Sequence, residues 1–307
     1  MASPLDSTWG IWLISLLIQS LLQGMGLLQA YLYFFWYADG WMTKVTVLVV
    51  VALETFQLIM IFGSTYHYLI DGFGDFPGLL AVYWECWVQL GATYAAAFVV
   101  QAYFAHSIYV LQRKDKILPL VIFLFALVTF GGGLGQVILA SRLVSFTQLD
   151  RVKTTTIINA TFGAATDVLV AVGLSWRLQG AKGGIQATNN LLNYLIVFSI
   201  NRGFLTAMAA IIQIILFFAY PGTFYFFAMV WLSGKLYMNT ILATLNTREH
   251  AKSLLGSHGS NYQLGSVASA ARFGAPKPAQ HVQVAVTTVS DLERNEDFSS
   301  RDGKFAL

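Results

Sequence analysis

Apolar residues fill the first 246 positions in seven long blocks, separated by short polar stretches. The blocks lie at about residues 10–37, 45–70, 86–111, 117–141, 156–178, 190–219 and 222–246. Each is long enough to cross a hydrocarbon core as a helix, which takes roughly 20 residues. The pattern predicts an all-α fold, a seven-transmembrane-helix bundle over 10–246, behind a short extracytosolic N-terminus at 1–9. Residues 191–200 of the long sixth block are expected to project past the core. That puts Arg202 at the membrane interface, where its stem can snorkel.

Polar residues inside the blocks recur at helical spacing. Gln19, Gln23 and Gly26 share one face of the first block. Glu54, Gln57, Ile61 and Ser64 share a face of the second. Asn159, Gly163, Thr166, Asp167 and Val170 do so in the fifth, and Lys235, Asn239, Leu242 and Asn246 in the seventh. Sorting by face predicts a polar interior, because polar groups in lipid turn toward the bundle. The plainer reading of the Gln and Asn residues is helix-to-helix hydrogen bonding, worth about 1 kcal/mol or less each.

Composition sharpens the class. Of 307 residues, 56% are hydrophobic and 11% charged, against about 25% charged in soluble domains. The net charge of +3 forms no basic stripe, so no nucleic-acid partner is expected. A single cysteine, Cys86, excludes an intramolecular disulfide and a cysteine-based metal cluster. The first nine residues lack Lys and Arg, so no cleavable signal peptide is expected. With the N-terminus outside, the inner side collects Lys44, Arg113, Lys114, Lys116, Arg177, Lys182, Arg248 and Lys252. The outer loops keep only Arg142, Arg151 and Lys153, so the bias is eight to three. The expected topology is therefore N-out, C-in. Trp36, Trp41, Trp84, Trp87 and Trp176 fall near block ends, as an aromatic belt requires.

After position 246 the chain turns rich in Ser, Gly, Ala, Thr and charge. Residues 247–307 are expected to be a disordered cytosolic tail. Within it Val282, Val284 and Val286 alternate with other residues, a weak strand-like pattern.

Three ionisable residues lie deep in the blocks. Glu54 is ~15 Å from the inner flank set by Lys44, Asp167 ~15 Å from that set by Arg177, and Lys235 ~20 Å from that set by Arg248, at 1.5 Å per residue. A charge at mid-membrane costs a few kcal/mol at least, so Lys235 is expected to pair with Glu54 or Asp167. A sequential ring brings the second and seventh helices together and favours Glu54. The candidate intramembrane polar site is Glu54, Asp167, Lys235, Asn239, Gln57 and Gln23. Arg113, Lys114, Lys116 and Arg202 are candidate cytosolic contacts. A fixed ion pair setting helix register is the plain structural alternative.

Other motifs add little. Gly131, Gly132, Gly133 and Gly135 sit inside an apolar block and read as close helix approach, not a phosphate loop. His67 and His106 stand near opposite ends of their helices. The sequon at Asn159 lies too near the bilayer to be glycosylated. No catalytic triad, HExxH, Walker motif or cysteine-ligand spacing occurs, so neither an enzyme nor a cofactor is expected.

Several stretches resemble a known group of sequences. They include Gln23-Gly24-Met25-Gly26-Leu27-Leu28-Gln29-Ala30-Tyr31-Leu32-Tyr33 with Asp39 and Lys44, then Gln101-Ala102-Tyr103-Phe104-Ala105. Asp167, Asn201, Gly203 and Thr206 follow. The strongest match is Lys235-Leu236-Tyr237-Met238-Asn239 with Leu242-Ala243-Thr244-Leu245-Asn246-Thr247-Arg248. Over about residues 10 to 250 the chain resembles fungal seven-helix integral membrane proteins catalogued as a domain of unknown function, common in mushroom-forming fungi. Arg202 stands where a small polar residue is expected. The resemblance implies fold and membrane location and supplies no activity.

The expected function is a receptor-like sensor, with the plasma membrane preferred over an internal one. Its expected partners are the lipid bilayer, a small-molecule ligand, and a cytosolic protein at the inner loops and tail. A proton-coupled or small-molecule transporter is the rival reading, since intramembrane carboxylates and lysines build such pathways. A retinal-type photoreceptor, using Lys235 as a Schiff-base amine, is a minor one. Trp231, one turn earlier, is not an acidic counter-ion.

Overall fold

The computed structural model describes residues 5–111, 116–183 and 186–256. It is all helical in architecture: α1 Ile11–Trp36, α2 Trp41–Tyr66, α3 Trp84–Leu111, α4 Ile117–Ala140, α5 Lys153–Gly180, α6 Gln186–Ala219 and α7 Tyr225–Gly256. Among the described residues, seven segments are long and apolar enough to cross a membrane. Each helix packs on its successor and α1 packs on α7, closing a ring, while α3 also reaches α5 and α7.

Local sequence explains the breaks. Pro119 occupies the first turn of α4, where its missing N–H costs no helical bond. Pro221 forbids the helical region to Tyr220, so α6 stops at Ala219. Gly222 then takes φ +79, which a side chain would resist, and the chain turns into α7.

The helices are apolar outside, and their polar residues turn inward within a largely apolar core. Leu17, Leu21 and Leu28 lie on the exposed face of α1, while Gln19 and Gln23 are buried. Trp36, Trp41, Trp84 and Trp176 are exposed at helix ends, the positions of an interfacial belt. Of the α4 glycines, Gly133 serves close approach, whereas Gly131 has nothing within 4 Å of the place a Cβ would take. A Cβ on Gly133 would meet the Tyr94 ring at 2.6 Å.

The chain ends add detail to the sequence reading. Asp6–Gly10 form a helical turn leading into α1, and Trp9 is buried. An indole at a bundle's end buries large apolar area when it finds aromatic neighbours. At the other end, α7 continues ten residues past position 246, to Gly256. Arg248, Ala251, Lys252 and Leu254 are good helix formers, and glycine is a common stop. The remainder of the expected tail, 257–307, lies outside the described residues, as does its valine alternation.

Candidate functional site

α2 and α7 meet at a buried ion pair. Lys235 Nζ lies 2.8 Å from Glu54 Oε2, with the side chains 0% and 1% exposed. The same ammonium donates to the backbone carbonyl of Glu54 at 2.7 Å. One amine thus holds both the side chain and main chain of one residue. Gly234 makes room for this: a Cβ there would stand 2.8 Å from Glu54 Oε1. Of the two carboxylates considered, Lys235 pairs with Glu54.

One turn along α2, Gln57 Nε2 donates to Gln19 Oε1 of α1 at 3.1 Å and to Gln89 Oε1 of α3 at 3.2 Å. Gln23 donates to Thr55 Oγ1 at 2.9 Å. Asn239 donates to the Leu22 carbonyl at 3.0 Å and to its own helix at Lys235, 2.8 Å. Asn246 Nδ2 donates to the Gln29 carbonyl at 2.9 Å. Gln23, Gln57 and Asn239 therefore clip α1, α2, α3 and α7 around the pair. Asn159 is likewise spent inside, donating to the Thr129 carbonyl at 3.0 Å.

Asp167 belongs to a second centre. Tyr237 Oη donates to Asp167 Oδ2 at 2.6 Å, and Gln101 Nε2 donates to Tyr237 Oη at 3.5 Å. The Arg202 charge acts on both Asp167 and Tyr237. Its guanidinium lies 3.5 Å from the centroid of the Phe104 ring, within cation–π reach. Gln101, Thr206 and Tyr237 also line a cavity of about 50 Å³, polar and large enough for water.

Arg202 is the main correction to the sequence reading. It is 6% exposed, not snorkelling at an interface. Ser199, Arg202, Thr206 and Gln213 form the buried face of α6, while Phe204, Leu205 and Ile211 face outward. The face, rather than the depth, directs the side chain inward, and Phe104 and Asp167 give its charge an environment. The spacing of these four residues was readable in the sequence. Tyr237 was not singled out there as a site residue; the signal was a phenol two positions from Lys235 in a span, where its hydroxyl needs a partner. Lys116 is exposed at the start of α4, whereas Arg113 and Lys114 lie outside the described residues.

An aromatic column leads to the ion pair from the end that holds the N-terminus. Trp9, Phe146 and Phe224 border a cavity of about 250 Å³. Trp9 contacts Trp12 at 5.0 Å between centroids, and Trp12 meets Trp231 edge-on at 4.6 Å. Trp231 is one helical turn before Lys235. Trp12 Nε1 is anchored by donating to Thr65 Oγ1 at 2.8 Å. At the opposite end a larger cavity, about 510 Å³, reaches down to Phe104.

No curated protein and no solved structure matches the chain. Residues 163–250, which run from the face of α5 bearing Asp167 through Arg202 to Lys235 and Tyr237, are similar to a family described as Family of unknown function (DUF6534).

Proposed function

We propose that the protein is a receptor-like sensor and not an enzyme, set in the plasma membrane with its N-terminus outside and its C-terminus in the cytosol. The observation that carries this is the position of α7. Lys235 ties it to Glu54 of α2, and Tyr237 ties it to Asp167 of α5. Trp231 on the same helix touches the aromatic column below the outer cavity, and Thr244 lines the inner one. A ligand that moved the column would act on α7 next to both ties, and the inner end of α7 would report it. The extension to Gly256, Lys116 and the loop bearing Arg113 and Lys114 would meet a cytosolic partner.

The orientation rests on the eight-to-three charge bias. The fungal attribution rests on the resemblance of the quoted motifs. A carrier remains the second reading because two buried carboxylates lie at mid-bundle. A photoreceptor is less favoured, since the Lys235 amine is already held by the side chain and the carbonyl of Glu54, at 2.8 and 2.7 Å.

The experiment places a thiol at Thr244→Cys; the native Cys86 is buried. A sensor held by the ion pair gives faster maleimide labelling of that thiol when Glu54→Gln is added, and no ion flux in proteoliposomes. Proton flux through the unmutated protein that disappears in a folded Glu54→Gln variant ends the sensor reading and installs the carrier.

A further inference from the structure

The cavity of about 510 Å³ lies among the ends of α2, α3, α5, α6 and α7. Its volume falls in the range of small-molecule sites, about 300–1,000 Å³. The floor is Phe104, one residue-layer from the Arg202 guanidinium. On α3 it extends from Phe104 to Leu111, ~10 Å at 1.5 Å per residue. Leu174, Leu178, Leu195 and Val110 supply apolar wall.

Part of the polar wall has a definite sense. Ser107, Ser199 and Thr244 line the cavity from three different helices. Each hydroxyl already donates to a carbonyl four residues back: Ser107 to Tyr103 at 2.9 Å, Ser199 to Leu195 at 2.8 Å, and Thr244 to Thr240 at 2.7 Å. With their protons committed, these oxygens offer lone pairs. Thr43, Tyr103 and His106 also line the cavity, so the accepting character belongs to the hydroxyls of Ser107, Ser199 and Thr244 and not to the whole wall; those three ask for a donor. The described charged residues at this end of the bundle are Lys44, Lys116, Arg177 and Lys182 against Asp39. That balance opposes an ammonium head.

We infer that this cavity binds an uncharged lipid-like alcohol, its hydrocarbon on the leucine wall and its hydroxyl donating to one of the hydroxyl oxygens of Ser107, Ser199 and Thr244. A carboxylate has no proton to donate to these oxygens. An ether accepts only. The inference does not depend on the sensor reading: an alcohol can bind whether or not α7 moves.

The test uses the full chain in phosphatidylcholine nanodiscs and a hexadecanol carrying a mid-chain diazirine. After photolysis, the label should map to residues 103–111, 174–178 and 195–199. Excess hexadecanol should suppress it. Hexadecyl methyl ether and hexadecylamine should each need about ten-fold more, the worth of roughly one hydrogen bond. Leu178→Trp fills the cavity and should abolish specific label. Should that variant misfold, Ser199→Ala serves instead, since it should shrink the advantage of alcohol over ether while leaving the ether unchanged. Label spread over the outward residues Leu17, Leu21 and Leu28 and insensitive to competitor overturns the site. An ether that competes as well as the alcohol overturns the donor chemistry, and an amine that does so overturns the uncharged head.

Discussion

Lys235 and Tyr237 are two positions apart on α7 and bind carboxylates on different helices, Glu54 of α2 and Asp167 of α5. Two residues turn a helix by about 200°, so the contacts lie on nearly opposite faces. α7 is thus held on both sides at one level. A rotation that relaxed one contact would strain the other, so the pair resists twist as well as separation.

Removing one partner of the ion pair should be costly. Lys235→Met strands a carboxylate that is 1% exposed, and Glu54→Gln strands an ammonium that is 0% exposed. Each should lower stability by about 3–5 kcal/mol, and the double variant should recover much of it. Thermal unfolding of the four proteins in detergent closes the cycle. Losses that simply add would mean the two groups do not interact.

Tyr237→Phe keeps the ring and removes the donor to Asp167. A hydrogen bond to a charged group is worth about 1.5–3 kcal/mol, and the variant should lose that amount. Asp167→Asn in the same background should then add less than it does alone. Equal effects in both backgrounds would show that the phenol and the carboxylate act separately.

Gly203→Ala tests a close approach of α5 and α6. The added Cβ would stand 2.5 Å from Ala171 Cβ and 3.2 Å from the Asp167 carbonyl. Neither neighbour is the flexible end of a side chain, so the helices must part. Overpacking of this kind costs about 1–3 kcal/mol. Gly24, where nothing lies within 4 Å, is the control: Gly24→Ala should be neutral or slightly stabilising in a melt.

The bundle was legible because hydrophobic length and face are written in the sequence. Glu54 and Lys235 were legible because charges in apolar blocks are few and their depths can be counted. Depth alone misled for Arg202. Counting placed it near an interface, but the face it shares with Ser199 and Thr206 turns it inward. The pairing of Asp167 with Tyr237 was not legible, because a tyrosine in a span also reads as packing. The cavities depend on how seven helix ends splay, which no periodicity encodes.

Orientation is checked by a tag placed after Phe305. The charge bias predicts a cytosolic C-terminus, so antibody should reach the tag only after the cell membrane is permeabilised. Staining of intact cells carrying the protein at their surface would reverse the topology, and with it the assignment of the two cavities to outside and inside.

Arg202 separates an interior charge from an interfacial one. At an interface, Arg202→Met would change stability by about 0.5 kcal/mol or less, as surface substitutions do. Here the guanidinium is 6% exposed, stacked on Phe104, and supplies positive charge felt by Asp167. Loss of it leaves a buried carboxylate with its hydrogen bond from Tyr237, and the penalty should approach the ~3–5 kcal/mol of a broken buried pair. Arg202→Lys keeps the charge but not the planar group over the ring, and should lose the smaller amount of a cation–π contact, about 0.5–2 kcal/mol. Arg202→Met combined with Asp167→Asn should recover part of the loss. The ordering Met worse than Lys, with rescue by the second change, is measurable by thermal unfolding in detergent. A near-neutral Arg202→Met would return the side chain to the membrane surface.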